Sequence, residues 1–270
     1  MTELEYNKAE GIRRSDLWKM EDSPEKFKYF LENPMEQTPA MAFGSACHKY
    51  VLEKNDFAKE YAVAPEINRR TNAGKAEWEA FCAANEGKTI IAKDEHETMI
   101  EMRKAVERCP LANKLLFGKG ETESPFFWTD PETGEPCKIK ADRVVKFNRR
   151  IYVVDYKTCQ CADTFRFNSD IWKLGYYFQA GMYCEGVKLT KKLKKMPGFL
   201  FVAQEKKAPY AVNVIEVGED VMNAGVAKFH QLLEKYHNFK ALDVWPGYVQ
   251  DVPNDAFVPG WKEREMEDDI

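Results

Sequence analysis

The chain lacks any uncharged apolar run of the roughly 18 residues needed to cross a bilayer, so no membrane-spanning helix is expected. The first twenty residues also lack the apolar stretch of a secretory leader, because Glu3, Glu5, Lys8, Glu10, Arg13 and Arg14 interrupt it. A soluble, cytoplasmic protein is the expectation. There is no internal repeat and no low-complexity linker. The 270 residues, 44% of them hydrophobic, are therefore read as one domain over residues 1–270, with enough apolar content for a sizeable core. A basic excess is missing too. The net charge of −4 argues against a surface that wraps DNA non-specifically, although net charge is silent about local fields. The seven cysteines are odd in number and scattered, a pattern that suits reduced thiols. Cys159-x-Cys161 is the one tight pair, and without a second pair it reads as ordinary packing rather than a zinc or iron–sulfur site.

What is present begins with helix signals. Ser15 reads as a helix start, and so does Ser23, followed by Pro24 at the first helical position and then "EKFKYFLEN". Pro39 opens another helix, on which Met41, Gly44, His48 and Val51 share a face. Residues 72–86 and 93–108 read as helices around a short "TIIA" strand, and "LANKLLFG" as a short helical or loop piece. From 121 to 158 the period changes to two, giving "ETESPFFW", "CKIKADRVVKF" and "IYVVDYKT" as a three-strand meander turned at Pro131–Gly134 and Asn148-Arg149. A helix over about 170–187 follows, with Trp172, Tyr176, Gln179 and Tyr183 on one side; Trp172 and Tyr176 are read as core. Two strands, "PGFLFVAQ" and "YAVNVIEV", and a long helix from Glu219 complete a mixed α/β fold. Arg69-Arg70 with Lys75, Arg149-Arg150, and Lys188–Lys195 form basic clusters, each a solvated face or part of a phosphate-tracking groove. The acidic "EREMEDDI" falls in a C-terminal tail over about 255–270 that is expected to fray.

The stretch "KADRVVKFNRRIYVVDYKT" carries the chemistry. With a two-residue loop at Asn148-Arg149, Asp142 falls directly opposite Asp155, with Cβ atoms about 4.5–5.5 Å apart. Lys157, two residues on, points to the same face as Asp155. Carboxylates so placed repel each other. Lys157 alone neutralises them in a bland surface cluster. Alternatively a divalent cation does so, magnesium or manganese suiting the hard oxygens.

This arrangement resembles the D…(D/E)-x-K nuclease superfamily, with Asp142 as first acid and Asp155-Tyr156-Lys157 as second acid and lysine. Two further marks, Gly44-x-x-x-His48 and Gln179-x-x-x-Tyr183, resemble the RecB-like and lambda-exonuclease-like branch. More narrowly, "SDLWKMEDSPEKFKYFLENPMEQTPAMAFGSACHKYVLE" and "VAPEINRRTNAGKAEWEAF" are similar to the nuclease domain of the RecE-type exonuclease VIII family of bacterial prophages. That likeness runs from about residue 11 to about 238. It implies a restriction-endonuclease-like core: an α/β fold with a single mixed sheet flanked by helices. It also implies magnesium-dependent 5′→3′ hydrolysis of double-stranded DNA from its ends, with manganese able to substitute. Further implications are a ring tetramer and a partnership with a single-strand annealing recombinase in DNA recombination. A structure-specific or CRISPR-associated type nuclease, or a non-catalytic DNA-binding relative, are the competing readings.

Under this resemblance Asp142 and Asp155 ligate the metal, with the Tyr156 backbone carbonyl as a further ligand, and Lys157 lies beside the attacking water. His48 ligates a second metal or contacts the phosphate, while Gly44 permits its helix to approach the sheet. Glu123 offers an additional carboxylate, with Glu121 competing for that place. Gln179 and Tyr183 are suited to hydrogen-bonding the carboxylates or a DNA phosphate. Arg69, Arg70 and Lys75, at a helix start, are candidates for the DNA backbone or a terminal 5′-phosphate, or form a solvated cap.

Overall fold

Helix-forming periodicity gives way to strand periodicity after Gly118, and the main sheet starts there. The computed structural model describes residues 1, 3–33 and 37–248, with Pro253, Asp255, Ala256 and Val258. The acidic end of the chain, 263–270, lies outside the described residues, as does most of the stretch expected to fray. Before the sheet come α1 (Glu3–Lys8), α2 (Arg14–Lys19), α3 (Pro24–Glu32), α4 (Pro39–Leu52), α5 (Phe57–Glu60), β1 (Tyr61–Val63), α6 (Asn72–Ala84), β2 (Thr89–Ile91), α7 (Lys93–Arg108) and α8 (Pro110–Phe117). Then follow β3 (Gly120–Thr129), β4 (Pro136–Phe147), β5 (Arg150–Cys159), α9 (Thr164–Lys173), α10 (Tyr176–Thr190), β6 (Gly198–Glu205), β7 (Val212–Glu216) and α11 (Glu219–Leu242).

Local chemistry accounts for several boundaries. Ser23 Oγ accepts from the Lys26 amide at 3.1 Å with Pro24 at the first helical position, and Thr38 does the same for α4 ahead of Pro39. Ser15, by contrast, sits inside α2, whose N-cap is Arg13 with no side-chain cap. The β4–β5 loop is the two-residue Asn148-Arg149, with φ of 45° and 65° and Phe147 paired with Arg150. Positive φ at both loop residues matches the twist of the flanking strands.

Strands β3 to β7 form one sheet in sequence order, antiparallel except for the parallel β5–β6 pair. A parallel neighbour requires a crossover, and α9 and α10 supply it. Both faces of the sheet are covered. On one side Leu17, Phe27, Phe167, Phe178, Met182 and Phe229 pack on Ile139, Val153 and Phe201. On the other, Val51, Val106, Leu115 and Leu116 pack on Val154, Tyr156 and Val202. This is why β6 reads as an unbroken apolar run: Phe199, Phe201 and Ala203 face one layer, Leu200 and Val202 the other.

Two features depart from the sequence reading. The helix expected over 170–187 is two helices, α9 and α10, broken at Gly175, whose φ of 65° is left-handed. Trp172 therefore belongs to a different helix from Gln179, and it is 46% exposed rather than core. On α4, Val51 is fully buried but Met41 is 52% exposed, so the expected common face breaks down at the start of the helix.

Helix α10 is held against α11 by backbone contact. A Cβ on Gly181 would lie 2.3 Å from the Gly225 carbonyl carbon, and one on Gly225 would lie 2.1 Å from the Tyr177 carbonyl oxygen. Only glycine permits that approach, and it fixes the helix that carries Gln179.

Candidate active site

The acids gather where the central ladders open. The β4–β5 pairing ends at Arg143 and Val154, one step before the register would bring Asp142 opposite Asp155. On the other side of β4, Glu123 and Asp142 fall unpaired between Thr122↔Arg143 and Ser124↔Ala141. Glu123, Asp142 and Asp155 therefore stand in a row across three adjacent strands. Side-chain alternation slips at the same level. Cys137, Ile139 and Ala141 join the larger apolar cluster, but beyond the site it is Val144, and Val145 joins the opposite one. Glu123 takes a φ of 48°, a conformation that a residue with a Cβ holds only at a cost. In place of a ladder bond, the Tyr156 N–H donates to Asp142 Oδ2 at 2.8 Å. A strand residue's N–H and C=O serve the same neighbour, so the Tyr156 carbonyl also faces the β4 side, toward the opening.

Each acid has its own cation. His48 Nε2 on α4 lies 2.8 Å from Asp142 Oδ2, Lys140 Nζ lies 2.7 Å from Glu123 Oε2, and Lys157 Nζ lies 2.9 Å from Asp155 Oδ2. Burial alone would lower the His48 imidazole, but the charge and hydrogen bond of Asp142, with Glu123 nearby, raise it to about 9. Burial pushes Asp155 upward, against the pull of Lys157. For Asp142 the burial penalty is outweighed by His48 and Lys157, which hold it below the ordinary carboxylate range. Glu123 is raised by burial and by the neighbouring Asp142. Lys157 is raised, Asp155 and Asp142 outweighing burial.

Donor atoms from His48, Glu123 and Asp142 all lie within 4.8 Å of one another. Asp155 is not part of that trio. Its carboxylate is turned to Lys157 and to Gln179, whose Nε2 donates to Oδ1 at 2.5 Å. Two buried oxygens at the site, Glu123 Oε1 and Asp155 Oδ2, accept no hydrogen bond. Lys157 is near the second, but its hydrogen-bond geometry favours Oδ1. Hard, buried oxygens that accept no hydrogen bond and face only ion-pair partners, Lys157 at 2.9 Å and His48 Nδ1 at 3.4 Å, fit a divalent cation.

The remaining candidates separate. Glu121 is turned away to Lys191 at 2.6 Å, so Glu123 is the glutamate at the site. Tyr183, one turn beyond Gln179, lines the same cleft, and burial raises its hydroxyl well above the ordinary range. Gly44 also lines the cleft, but a Cβ there would meet only Thr158 Oγ1 at 3.9 Å, so close approach does not demand glycine. Arg69, Arg70 and Lys75 are exposed at the start of α6, outside the cleft lining, and the Arg69 guanidinium stacks 3.3 Å over Trp78. The cleft, of about 1310 Å³, also holds Lys140 and Arg14, which sequence reasoning missed. Lys140 shares the two-residue period with Asp142 and was legible on that ground. Arg14 was not, because it arrives from α2 to donate to the Leu174 and Gly175 carbonyls at 2.5 and 2.8 Å.

No curated protein matches the sequence. The crystal structure of a "putative exonuclease" from Eubacterium rectale superposes with a TM-score of 0.61 over 96% of this chain and 96% of that one, at 14% identity. At that identity the likeness speaks of fold alone. The structure of SSO0001, also 14% identical, covers 73% of this chain and 94% of that one with a TM-score of 0.31, too low to carry an argument. Residues 14–252 match the model of the PDDEXK-like domain of unknown function (DUF3799). The chain belongs to that family, and so to the PD-(D/E)xK superfamily, whose restriction-endonuclease-like fold is the five-stranded mixed sheet with helices on both faces described above.

Proposed function

We propose that the chain is a magnesium-dependent 5′→3′ exonuclease of double-stranded DNA, leaving 3′ single-stranded tails for recombination by strand annealing. The observation that carries the nuclease reading is the row Glu123–Asp142–Asp155 across three strands, with His48 and Lys157 against it and two buried oxygens that accept no hydrogen bond. When bound, a divalent ion stabilises charge at the scissile phosphate and lowers the pKa of the attacking water.

His48, Glu123 and Asp142 are the residues that would hold it, with the Tyr156 carbonyl facing the same opening. Asp155 would join them through Oδ2, its other oxygen accepting from Gln179 and Lys157. Lys157, held by Asp155 and over the Tyr176 ring at 5.2 Å, orients the water and offsets negative charge on the phosphate. To act as a ligand His48 would have to be neutral, since only the neutral imidazole has a free lone pair. Tyr183 is positioned for a phosphate oxygen from the wall of the cleft.

Support for the exonuclease reading comes from the resemblance of the two long segments before β1 and through α6 to the RecE-type nuclease domain. A ring tetramer and an annealing recombinase as partner belong to the same reading. The CRISPR-associated alternative fits less well, because its four-cysteine cluster has no counterpart among the described residues. End-labelled linear duplex and closed circular DNA, each with magnesium, test the proposal. Mononucleotides released from 5′ ends, with circles intact, are expected. Nicked circles would replace it with a structure-specific nuclease, and binding without cleavage with a non-catalytic relative.

A further inference from the structure

Two basic clusters far apart in sequence meet at the end of the sheet opposite the β5 terminus that carries Lys157. The β4–β5 loop brings Asn148, Arg149 and Arg150; the connection from α10 to β6 brings Lys194 and Lys195. Together with Leu193, Met196 and Pro197 they line a pocket of about 510 Å³. The meeting follows from topology. Because β6 runs parallel to β5 and starts at Gly198 opposite Tyr152, the segment entering β6 must pass beside the loop that starts β5. Arg149, Lys194 and Lys195 are exposed and have no ion pair among the described residues. Arg150 has only Glu216 at 3.8 Å, both side chains half exposed, a pair worth little in water.

Four cations in a concave site, three of them uncompensated, on a chain whose overall charge is negative, are a local field that selects anions. We infer that this pocket binds backbone phosphates of the nucleic acid, as a second contact remote from the cleft. The inference rests on the nuclease reading. From the acid row to the loop is five residues along both β4 and β5, about 17 Å at the rise of a strand. That spans about five phosphate steps along one DNA strand. A duplex lying along the strand direction with its scissile bond at Asp142 would reach this pocket about half a turn away, at a point that touches no reacting atom.

The test uses the full chain with Arg149→Asn, Lys194→Gln and Lys195→Gln combined. All three side chains are exposed, and asparagine tolerates the left-handed φ of 65° at position 149. Binding of a fluorescent duplex in EDTA, across a salt series, should weaken at least tenfold. The slope of log affinity against log salt should fall by about 0.9 for each lost phosphate contact. Magnesium- or manganese-dependent hydrolysis of bis(p-nitrophenyl) phosphate, too small to span both sites, should match the parent. Unchanged duplex affinity and slope, with the parent still cleaving DNA, would overturn this inference and leave the nuclease reading standing. Unchanged affinity with an altered oligomeric mass would make the pocket a protein contact and overturn it equally. A parent that neither binds nor cleaves DNA would remove both.

Discussion

Asp142 concentrates its contacts on one oxygen: Oδ2 accepts the Tyr156 amide and pairs with His48, and the carboxylate faces Glu123. The pairing with His48 has a sign that can be checked. In metal-free protein the imidazole is raised to about 9, above its ordinary value of 6.5, so the ion pair contributes stability in full below pH 6.5 and loses it as pH rises through about 9. Unfolding free energy of EDTA-treated protein should therefore fall across that window, and His48→Gln should flatten the fall. Because a ligand histidine must be neutral, magnesium or manganese affinity should rise over the same window with proton release, measurable by titration calorimetry in buffers of different ionisation enthalpy. Lys157→Ala should lower cleavage by about 100-fold or more. It should leave duplex affinity within severalfold of the parent, since backbone contacts elsewhere supply most of the binding.

Among the elements, α10 is the one whose placement decides the site. It carries Gln179, which fixes Asp155, and it rests on α11 through the Gly181–Gly225 contact. Gly181→Val should destabilise the fold by about 1–3 kcal/mol, seen as a lowered midpoint in urea, with loss of activity out of proportion in the fraction that remains folded. The hairpin of β4 and β5 was legible because Asn148-Arg149 between alternating apolar runs admits one register, and that register puts Asp142 level with Asp155. The opening of the ladder there was not legible, because a one-residue slip in alternation leaves Val144-Val145 looking like an ordinary buried strand. Strand β5 keeps its alternation, which turns Asp155 toward Gln179 on α10, whereas Asp142 sits at the slip in β4 and joins Glu123 and His48. The break at Gly175 was hidden by the unbroken spacing of Trp172, Tyr176, Gln179 and Tyr183.

For the molecule as a whole, the α/β class and the order of helices and strands were readable from the change in period, whereas what the fold brings together across long separations was not. Arg14 reaches the α9 terminus from 160 residues away, and the two basic clusters converge only because β5 and β6 run parallel. No helix of the described residues is long and apolar enough to cross a membrane. At this scale the proposed ring predicts a tetramer mass in light scattering and long tracts degraded per binding event; a monomer that releases duplex after each cut would remove that part of the proposal.

The proposed chemistry requires the buried oxygens of Glu123, Asp142 and Asp155 to hold a divalent ion beside His48. Calorimetric titration of magnesium or manganese into the EDTA-treated, dialysed protein tests this directly, with Asp142→Asn alongside. Saturable uptake by the parent and its loss in the variant is the predicted result. A parent that takes up neither ion, or a variant that takes them up as the parent does, would contradict it.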